Sequence, residues 1–150
     1  MRSGFRILAW ALVVGYVAFV LYVTVFGRAE TEEIKYNFMP FWSYVATYKG
    51  EGVNLMRGNY MNVLMFVPLG AMLWFAMKEK KWMRALVVCC IVSACVEALQ
   101  LLLRRGFCEI DDVMHNALGG MIGFFVCSLL FRKRAVREES LSQYDYRDGE

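Results

Sequence analysis

Four hydrophobic runs, separated by charged or polar connections, dominate the pattern along this chain. They cover residues 7–26, about 60–77, about 85–103 and about 113–131. A helix crosses the hydrocarbon core of a bilayer with roughly 20 predominantly apolar residues and satisfies its own backbone hydrogen bonds there. The pattern therefore predicts an all-α integral membrane bundle of four transmembrane helices. The first run is longer than a signal-peptide core and no small-residue cleavage pattern follows it, so we expect a retained anchor.

The basic residues predict the orientation of the bundle. Lysines and arginines cluster before the first run, in the connection 78–84 and directly after the fourth run, at 132–137. The connections 27–59 and 104–112 hold no such excess. Short cytoplasmic flanks carry the excess of Lys and Arg. Both termini are therefore predicted to be cytoplasmic, and the connections 27–59 and 104–112 are predicted to face outward.

Composition supports one membrane domain with a polar tail. Hydrophobic residues make up 59% of the 150 residues and charged residues 21%, and the net charge is +3. The basic residues lie beside apolar runs, so no nucleic-acid partner is predicted. We expect a four-helix membrane domain at 1–131 and a basic, then polar cytoplasmic tail at 132–150, whose composition is typical of disorder.

The long outer connection between the first two helices is rich in aromatic residues. Phe41, Trp42, Tyr44, Val45 and Tyr48 follow a spacing of i, i+1, i+3, i+4 and i+7, which is one face of a helix. Trp and Tyr favour the level of the lipid headgroups. Two interpretations stay open: a short helix that covers the bundle at the outer interface, or an irregular loop with an aromatic belt.

The densest polar cluster lies where the third and fourth runs meet. Glu97, Gln100 and Arg104 stand at i, i+3 and i+7, so they share a helix face. At 1.5 Å per residue, Glu97 lies roughly 10 Å below Arg104, inside the outer leaflet. An unpaired carboxylate there costs at least about 3 kcal/mol. It must therefore face protein or trapped water.

The fourth run carries a polar stripe that turns into a small-residue stripe. Asp112, Asn116, Gly119 and Gly123 stand at i, i+4, i+7 and i+11. The GxxxG spacing of the two glycines permits close approach of membrane helices. The stripe is therefore expected to face a neighbouring helix.

The second run supplies the third wall. Asn59 and Asn62 lie at its outer end, and Pro68 with Gly70 lies in its middle. Pro68 cannot donate to the carbonyl of Leu64, which predicts a local kink.

These positions predict a polar cavity in the outer leaflet, walled by the last three helices. The candidate ligand-binding or network residues are Asn59, Asn62, Glu97, Gln100, Arg104, Arg105, Glu109, Asp111, Asp112 and Asn116. The candidate helix-packing residues are Pro68, Gly70, Gly119 and Gly123.

The same residues resemble the VanZ-like family of small bacterial membrane proteins. Members carry E-x-x-Q late in one span, an Arg, an acidic D-I-D-D segment and N-x-x-G-x-x-x-G. In this chain the pattern is Glu97, Gln100, Arg105, the EIDD segment at 109–112, Asn116, Gly119 and Gly123. Glu109 departs from the more usual Asp, a conservative change.

Two earlier motifs support the resemblance, which covers about residues 5–131. An Asn-rich span entry followed by F-x-P-L-G matches Asn59, Asn62, Phe66, Pro68, Leu69 and Gly70, and an N-hydrophobic-x-P-F element matches the segment 37–41. The resemblance implies a bacterial cell-membrane location. It also implies a relation to low-level resistance to teicoplanin, a lipoglycopeptide, without altered peptidoglycan precursors.

Three functions stay open at this point. In the first, the cavity binds an amphiphile (a lipid headgroup, a cell-wall precursor or a lipoglycopeptide), and Arg104 and Arg105 hold its phosphate or carboxylate. In the second, a membrane enzyme uses Glu97 and Asp112 as acid and base on a lipid headgroup or cell-wall precursor. In the third, the polar residues only fix helix packing, through pairs such as Glu97–Arg105 or Asp112–Arg104.

Binding is favoured over catalysis, since no nucleophile with a paired base is evident. No metal-ligand spacing occurs among the five cysteines and the single histidine. No cofactor is predicted, and the pattern assigns no role to Cys108 or His115. The oligomeric state is left open, because GxxxG packing fits both intramolecular and intermolecular contacts.

Overall fold

The computed structural model describes the backbone of residues 3–32, 35–50, 53–79 and 81–147, and side chains within 4–32, 36–50, 55–79 and 81–131. The elements in chain order are α1 (Ser3–Leu21), a π-helical segment (Tyr22–Phe26), β1 (Lys35–Asn37), α2 (Trp42–Tyr48), α3 (Val53–Ala76), α4 (Trp82–Leu102), β2 (Phe107–Glu109) and α5 (Ile110–Arg147).

Four of the described helices are long and apolar enough to cross a membrane, which confirms the predicted fold class. The candidate spans are Gly4–Phe26, Leu55–Ala76, Trp82–Leu102 and Ile110–Phe131. All four begin a few residues before the hydrophobic runs. In the fourth, the first turn contains Asp111, whose carboxylate bonds to Phe41 and Ser43, so the helix starts before the apolar stretch does.

α3 is the centre of the bundle. It packs along α5 over most of its length and also contacts α1, and it continues through Pro68 as one helix. The buried core includes Val20, Phe66, Leu69 and Phe124. α4 packs mainly on α5.

Glycines allow α3 and α5 to touch backbone to backbone. A Cβ on Gly119 would lie 2.0 Å from the carbonyl oxygen of Val63, and one on Gly123 would lie 1.9 Å from that of Val67. Gly70 faces Gly120 in the same way, at 1.7 Å from its carbonyl oxygen. Since any side chain would overlap a carbonyl, only glycine permits this helix spacing.

The connections at one end of the bundle contain structure that the hydrophobic pattern did not predict. β1 and β2 form a two-stranded parallel sheet in which Tyr36 pairs with Cys108 and Asn37 with Glu109. We call this end, with the sheet, α2 and the acidic start of α5, the loop end. The opposite end, where α3 joins α4, is called the basic end.

The connection between the first two spans forms the short helix that was one of the two interpretations. α2 buries Ser43 and Ala46, while Phe41, Tyr44, Val45 and Tyr48 are exposed. Phe41, Val45 and Tyr48 therefore point away from the bundle, where membrane interface or water would meet them, whereas the Tyr44 ring also contacts α5.

α5 extends beyond its membrane span. Its backbone is helical to Arg147, whereas the composition of 132–150 predicted a disordered tail. Ala, Arg, Glu, Leu and Gln, which fill much of this stretch, are strong helix formers, and no Gly or Pro interrupts it before residue 148. The domain boundary at residue 131 stays a prediction, and residues 148–150 lie outside the described residues.

Candidate functional site

Asp111 joins α5 to α2 at the loop end. Its fully buried carboxylate accepts hydrogen bonds from the amide of Phe41 (2.6 Å) and from the amide (3.0 Å) and hydroxyl (2.6 Å) of Ser43. Amide groups at a helix N-terminus lack partners within the helix, and a carboxylate there also meets the positive end of the helix dipole. Asp111 therefore caps α2 from a distant part of the chain.

Asn59 of α3 extends this contact. Its side-chain amide donates to the Ser43 hydroxyl at 3.0 Å, and both side chains are buried. Asn59, Ser43 and Asp111 thus form a chain of hydrogen bonds across three helices. Two of the predicted site residues are used here to hold α2 on the bundle.

His115 is hydrogen-bonded on both ring nitrogens. Its Nδ1 contacts the carbonyl oxygen of Asp111, and its Nε2 lies 2.6 Å from the Tyr44 hydroxyl. A carbonyl oxygen only accepts, so Nδ1 donates to Asp111, and Nε2 shares the second hydrogen bond with the Tyr44 hydroxyl. The rings also stack, with centroids 5.6 Å apart. His115 is therefore a packing residue beneath α2.

Asn116 and Gln100 bond neighbouring helices inside the bundle. The Asn116 side chain donates to the Ser93 hydroxyl of α4 at 2.8 Å. The Gln100 side chain donates to the carbonyl oxygen of Thr24 at 3.0 Å. Thr24 lies in the π-helical segment that ends the first span. Such segments leave carbonyls outside the regular α-helical hydrogen-bond pattern and often occur at functional sites.

Three carboxylates gather beside this network: those of Glu97, Glu109 and Asp112. Glu97 is 4% exposed, and one of its oxygens accepts the amide of Glu109 at 3.0 Å. Asp112 is half-buried and close enough to repel both other carboxylates, and it accepts a hydrogen bond from Asn62. These contacts bring together one residue from each of α3, α4, β2 and α5.

The basic residue that faces these carboxylates is Arg28, which sequence reasoning had not singled out. Its charge acts on Glu97, Glu109 and Asp112, and its guanidinium lies against Gly106. Gly106 has φ +147°, and a Cβ there would lie 2.8 Å from a guanidinium nitrogen of Arg28. The left-handed backbone and the close arginine both favour glycine at this position.

Arg105 does not make the ion pair with Glu97 that the structural hypothesis suggested. Its guanidinium binds Glu30 at 2.8 Å and the carbonyl oxygen of Phe26 at 3.3 Å. It also lies 5.8 Å from the centre of the Phe26 ring. Arg105 therefore ties the loop after the first span to the end of α4.

Arg104 has a backbone role, and its side chain is exposed. Arg104 adopts φ 53° just after α4. Its backbone amide donates to the carbonyl of Leu101 (3.3 Å), and the amide of Arg105 donates to the carbonyl of Gln100 (2.9 Å). This is the left-handed helix ending that usually contains glycine. Its carbonyl accepts the amide of Thr31 at 2.7 Å.

One buried polar atom has no hydrogen-bond partner among the described residues: the side-chain oxygen Oε1 of Gln100. Gln100 is 1% exposed, and this oxygen would lie 3.5 Å from a Cβ on Gly106. It therefore points toward the region of Arg28. Leaving a buried acceptor unpaired costs about 1–3 kcal/mol, so it marks a place where a ligand donor or water fits.

The acids affect two titratable groups just outside the spans. Burial, followed by the negative charge of Asp112, raises the pKa of Glu109 above its ordinary value of 4.5, although the Trp42 indole N–H donates to it at 3.3 Å. Burial also raises the pKa of the Cys108 thiol, and the charges of Glu97 and its neighbours add to this. The pKa of each group therefore depends on the negative charges of the neighbouring carboxylates.

Sequence reasoning missed the partners that lie far away along the chain. These are Thr24, Arg28, Ser43, Tyr44 and Ser93. Arg28 and Ser43 could have been considered from the sequence, since both are polar residues in the aromatic-rich connection that was predicted to lie over the polar cluster. The described residues contain no group of three or more His, Cys, Asp or Glu side chains arranged for a metal ion.

Comparison with known proteins agrees with this arrangement. The family model described as VanZ/LLP1 matches residues 10–132, which include most of the first span, the other three spans and the polar cluster. The chain belongs to the VanZ/LLP1 family. It is 24% identical over 122 residues to "Protein VanZ" of Enterococcus faecium, covering 79% of this chain and 72% of that protein. No solved structure matches the chain. Membership of this family confirms the resemblance and makes the chain a VanZ-like envelope protein of multi-pass membrane type.

Proposed function

We propose that this VanZ-like protein binds the polar head of an amphiphile at the loop end of the bundle, beside Glu97, Glu109 and Asp112. The observation that carries the proposal is the unpartnered Oε1 of Gln100, buried next to this carboxylate cluster and Arg28. A network that served only to pack helices would be expected to satisfy its own buried acceptors.

The free hydrogen-bonding capacity at this place consists mainly of acceptors. It includes Gln100 Oε1. It also includes the lone pairs of the Glu97 and Asp112 carboxylates that do not accept from the Glu109 amide or from Asn62. A matching ligand must supply donors, such as sugar hydroxyls or amino groups, and Arg28 adds one cationic donor. This favours a sugar-bearing or amine-bearing head over a bare phosphate. Binding of an anion by Arg104 and Arg105 stays a prediction.

The exposed aromatic surface supplies the second half of an amphiphile site. Tyr36, Phe38, Phe41 and Tyr48 are all more than half exposed at the same end of the molecule. Exposed apolar patches of this kind mark interaction sites or membrane interfaces. The apolar part of a ligand would pack there while its head enters the acceptor cluster. Lipid-linked cell-wall precursors and lipoglycopeptides both combine such a head with a tail, and both fit a VanZ-like protein of the bacterial cell membrane.

Photo-crosslinking with a glycolipid that carries a diazirine in its acyl chain tests the proposal. Asp112→Asn keeps an acceptor for Asn62 but removes the charge. We expect it to fold and to lose crosslinking by about tenfold, because hydrogen bonds to charged groups contribute roughly 1.5–3 kcal/mol. Glu32→Gln removes an exposed acid of the same end and should leave crosslinking unchanged.

Two other outcomes identify the competing functions. If Asp112→Asn lowers the folded yield in detergent while crosslinking per folded molecule stays normal, the cluster is structural and the proposal is wrong. If the glycolipid is recovered with a changed mass, and only when Glu97 is intact, the protein is an enzyme. The closeness of the Glu97 and Asp112 carboxylates favours this second candidate, since two interacting acids can divide the roles of acid and base.

A further inference from the structure

The basic end of the bundle contains a cavity of about 870 Å³ that the loop-end site does not use. It lies between the start of α1, the end of α3 and the start of α4. Ile7, Trp10, Met83 and Val87 contribute its apolar wall. Its size falls within the roughly 300–1,000 Å³ of typical small-molecule sites.

The cavity exists because α1 and α4 diverge. Both pack against α3, and they meet at the loop end, where the Gln100 amide binds the Thr24 carbonyl. Toward the basic end they separate, which leaves the side chains of Ile7 and Val87 largely exposed. Ile7 and Val87 both lie within candidate membrane spans, so an apolar chain from the lipid can enter between them from the side.

The described residues at the rim of the cavity carry more positive than negative charge. They include Arg6, Lys78 and Arg84 against the single acid Glu79. Glu79 is engaged by Lys81 at 3.0 Å and by Arg84 at 3.2 Å. Neither Arg6 nor Lys78 has an ion pair with another described residue, so both are available to an anion.

The start of α4 adds to the positive potential. Lys81 at its N-cap makes no side-chain capping hydrogen bond. The first amides of a helix and its dipole favour a negative group. The apolar wall, the basic rim and this helix start lie at one end of the same cavity.

We propose that this cavity is a binding site for an anionic phospholipid. One acyl chain lies between α1 and α4, and the phosphate group sits at the rim between Arg6 and Lys78. Basic pockets between membrane helices bind anionic headgroups in this way. The site is at the opposite end from the loop-end cluster, so the proposal does not depend on the glycolipid proposal.

Native mass spectrometry of the full chain in detergent tests it, with phosphatidylglycerol and phosphatidylcholine of equal chain length as probes. We expect phosphatidylglycerol to bind more tightly. Arg6→Gln and Lys78→Gln should each weaken phosphatidylglycerol binding by about fivefold. They should weaken phosphatidylcholine binding less, because its choline ammonium already opposes contact with a basic rim. Lys49→Gln, which removes an exposed basic residue at the other end, is the matched control and should leave phosphatidylglycerol binding unchanged.

A second variant and a headgroup probe keep the test decisive. Val87→Phe fills the apolar wall at a lipid-facing position and should abolish binding without changing the charge, while glycerol phosphate should not compete. Equal binding of the two lipids, full competition by glycerol phosphate, or a dimer that occupies the cavity in place of lipid would each overturn the proposal.

Discussion

The buried carboxylate of Asp111, in the first turn of α5, accepts both the amide (3.0 Å) and the hydroxyl (2.6 Å) of Ser43, 68 residues earlier in the chain. This relationship fixes α2 over the polar end of the bundle. Asn59, Gln100 and Asn116 likewise each bond a different element, which explains why buried polar side chains are tolerated there.

Asp111→Asn should release α2. The asparagine places an N–H where only acceptors fit, so we expect the free energy of unfolding to fall by about 2 kcal/mol, the typical contribution of a hydrogen bond to a charged group. The midpoint of thermal unfolding in detergent measures this, and trypsin cleavage after the exposed Lys49 should accelerate. Tyr48→Phe, at a side chain that is 94% exposed, is the control. An unchanged midpoint and cleavage rate would show that Asp111 does not hold α2.

Gly119→Ala should separate α3 from α5. A methyl group there would overlap the carbonyl oxygen of Val63, and overpacking of this kind costs about 1–3 kcal/mol or more. We expect a clear loss of the monodisperse folded fraction by size-exclusion chromatography. Gly58→Ala, on α3 with no atom within 4 Å of the added methyl, should behave like the wild type. If both variants fold equally well, the helices are not held by backbone contact.

Glu109 should make stability fall as pH rises. Burial and the charge of Asp112 raise its pKa above 4.5 in the folded protein, so the folded protein keeps this proton when the unfolded chain has lost it. Its contribution is therefore complete below the unfolded value and is lost as pH rises through the folded pKa. The difference in thermal midpoint between wild type and Glu109→Gln, followed from about pH 4 to 8, measures this. A midpoint difference that does not change over this range would contradict the raised pKa.

Cys108 should react slowly with maleimides and report on the acids around it. Its pKa is raised by burial and by Glu97, Asp112 and Glu109, and the thiolate is the reactive form. Glu109→Gln should therefore increase the labelling rate of this thiol, while Glu32→Gln should not. Cys108→Ser identifies the signal.

The same thiol tests the predicted orientation. An impermeant maleimide added to intact cells should label Cys108 if the connection 103–109 faces outward. Labelling that requires broken cells would place this end of the bundle in the cytoplasm. It would also move the glycolipid site to the inner leaflet.

The local pattern of the chain was enough for the fold class. Runs such as 85–103 are too long and apolar for any outcome other than membrane helices, and the structure has α4 at Trp82–Leu102. The helix-face spacing of Glu97 and Gln100 also indicated that both are buried, because a polar side chain at that depth must face protein.

The partners of these residues could not be obtained in this way. Arg105 was a plausible partner for Glu97, yet it binds Glu30, while Arg28 faces the carboxylates. The choice depends on the π-helical segment and on the turn at Gly106, which set the direction of the two connections. Hydrophobic periodicity predicts neither the π-helical segment nor the turn.

The sequence by itself determined four membrane helices, their order and the end of the bundle where polar groups collect, because these follow from local hydrophobicity and helical spacing. Only the tertiary structure decided that Asp111 caps α2, that β1 pairs with β2, and that Gln100 retains a free acceptor beside Arg28. Hydrogen bonds between distant segments depend on distances of a few ångströms, and those distances exist only after the helices have packed.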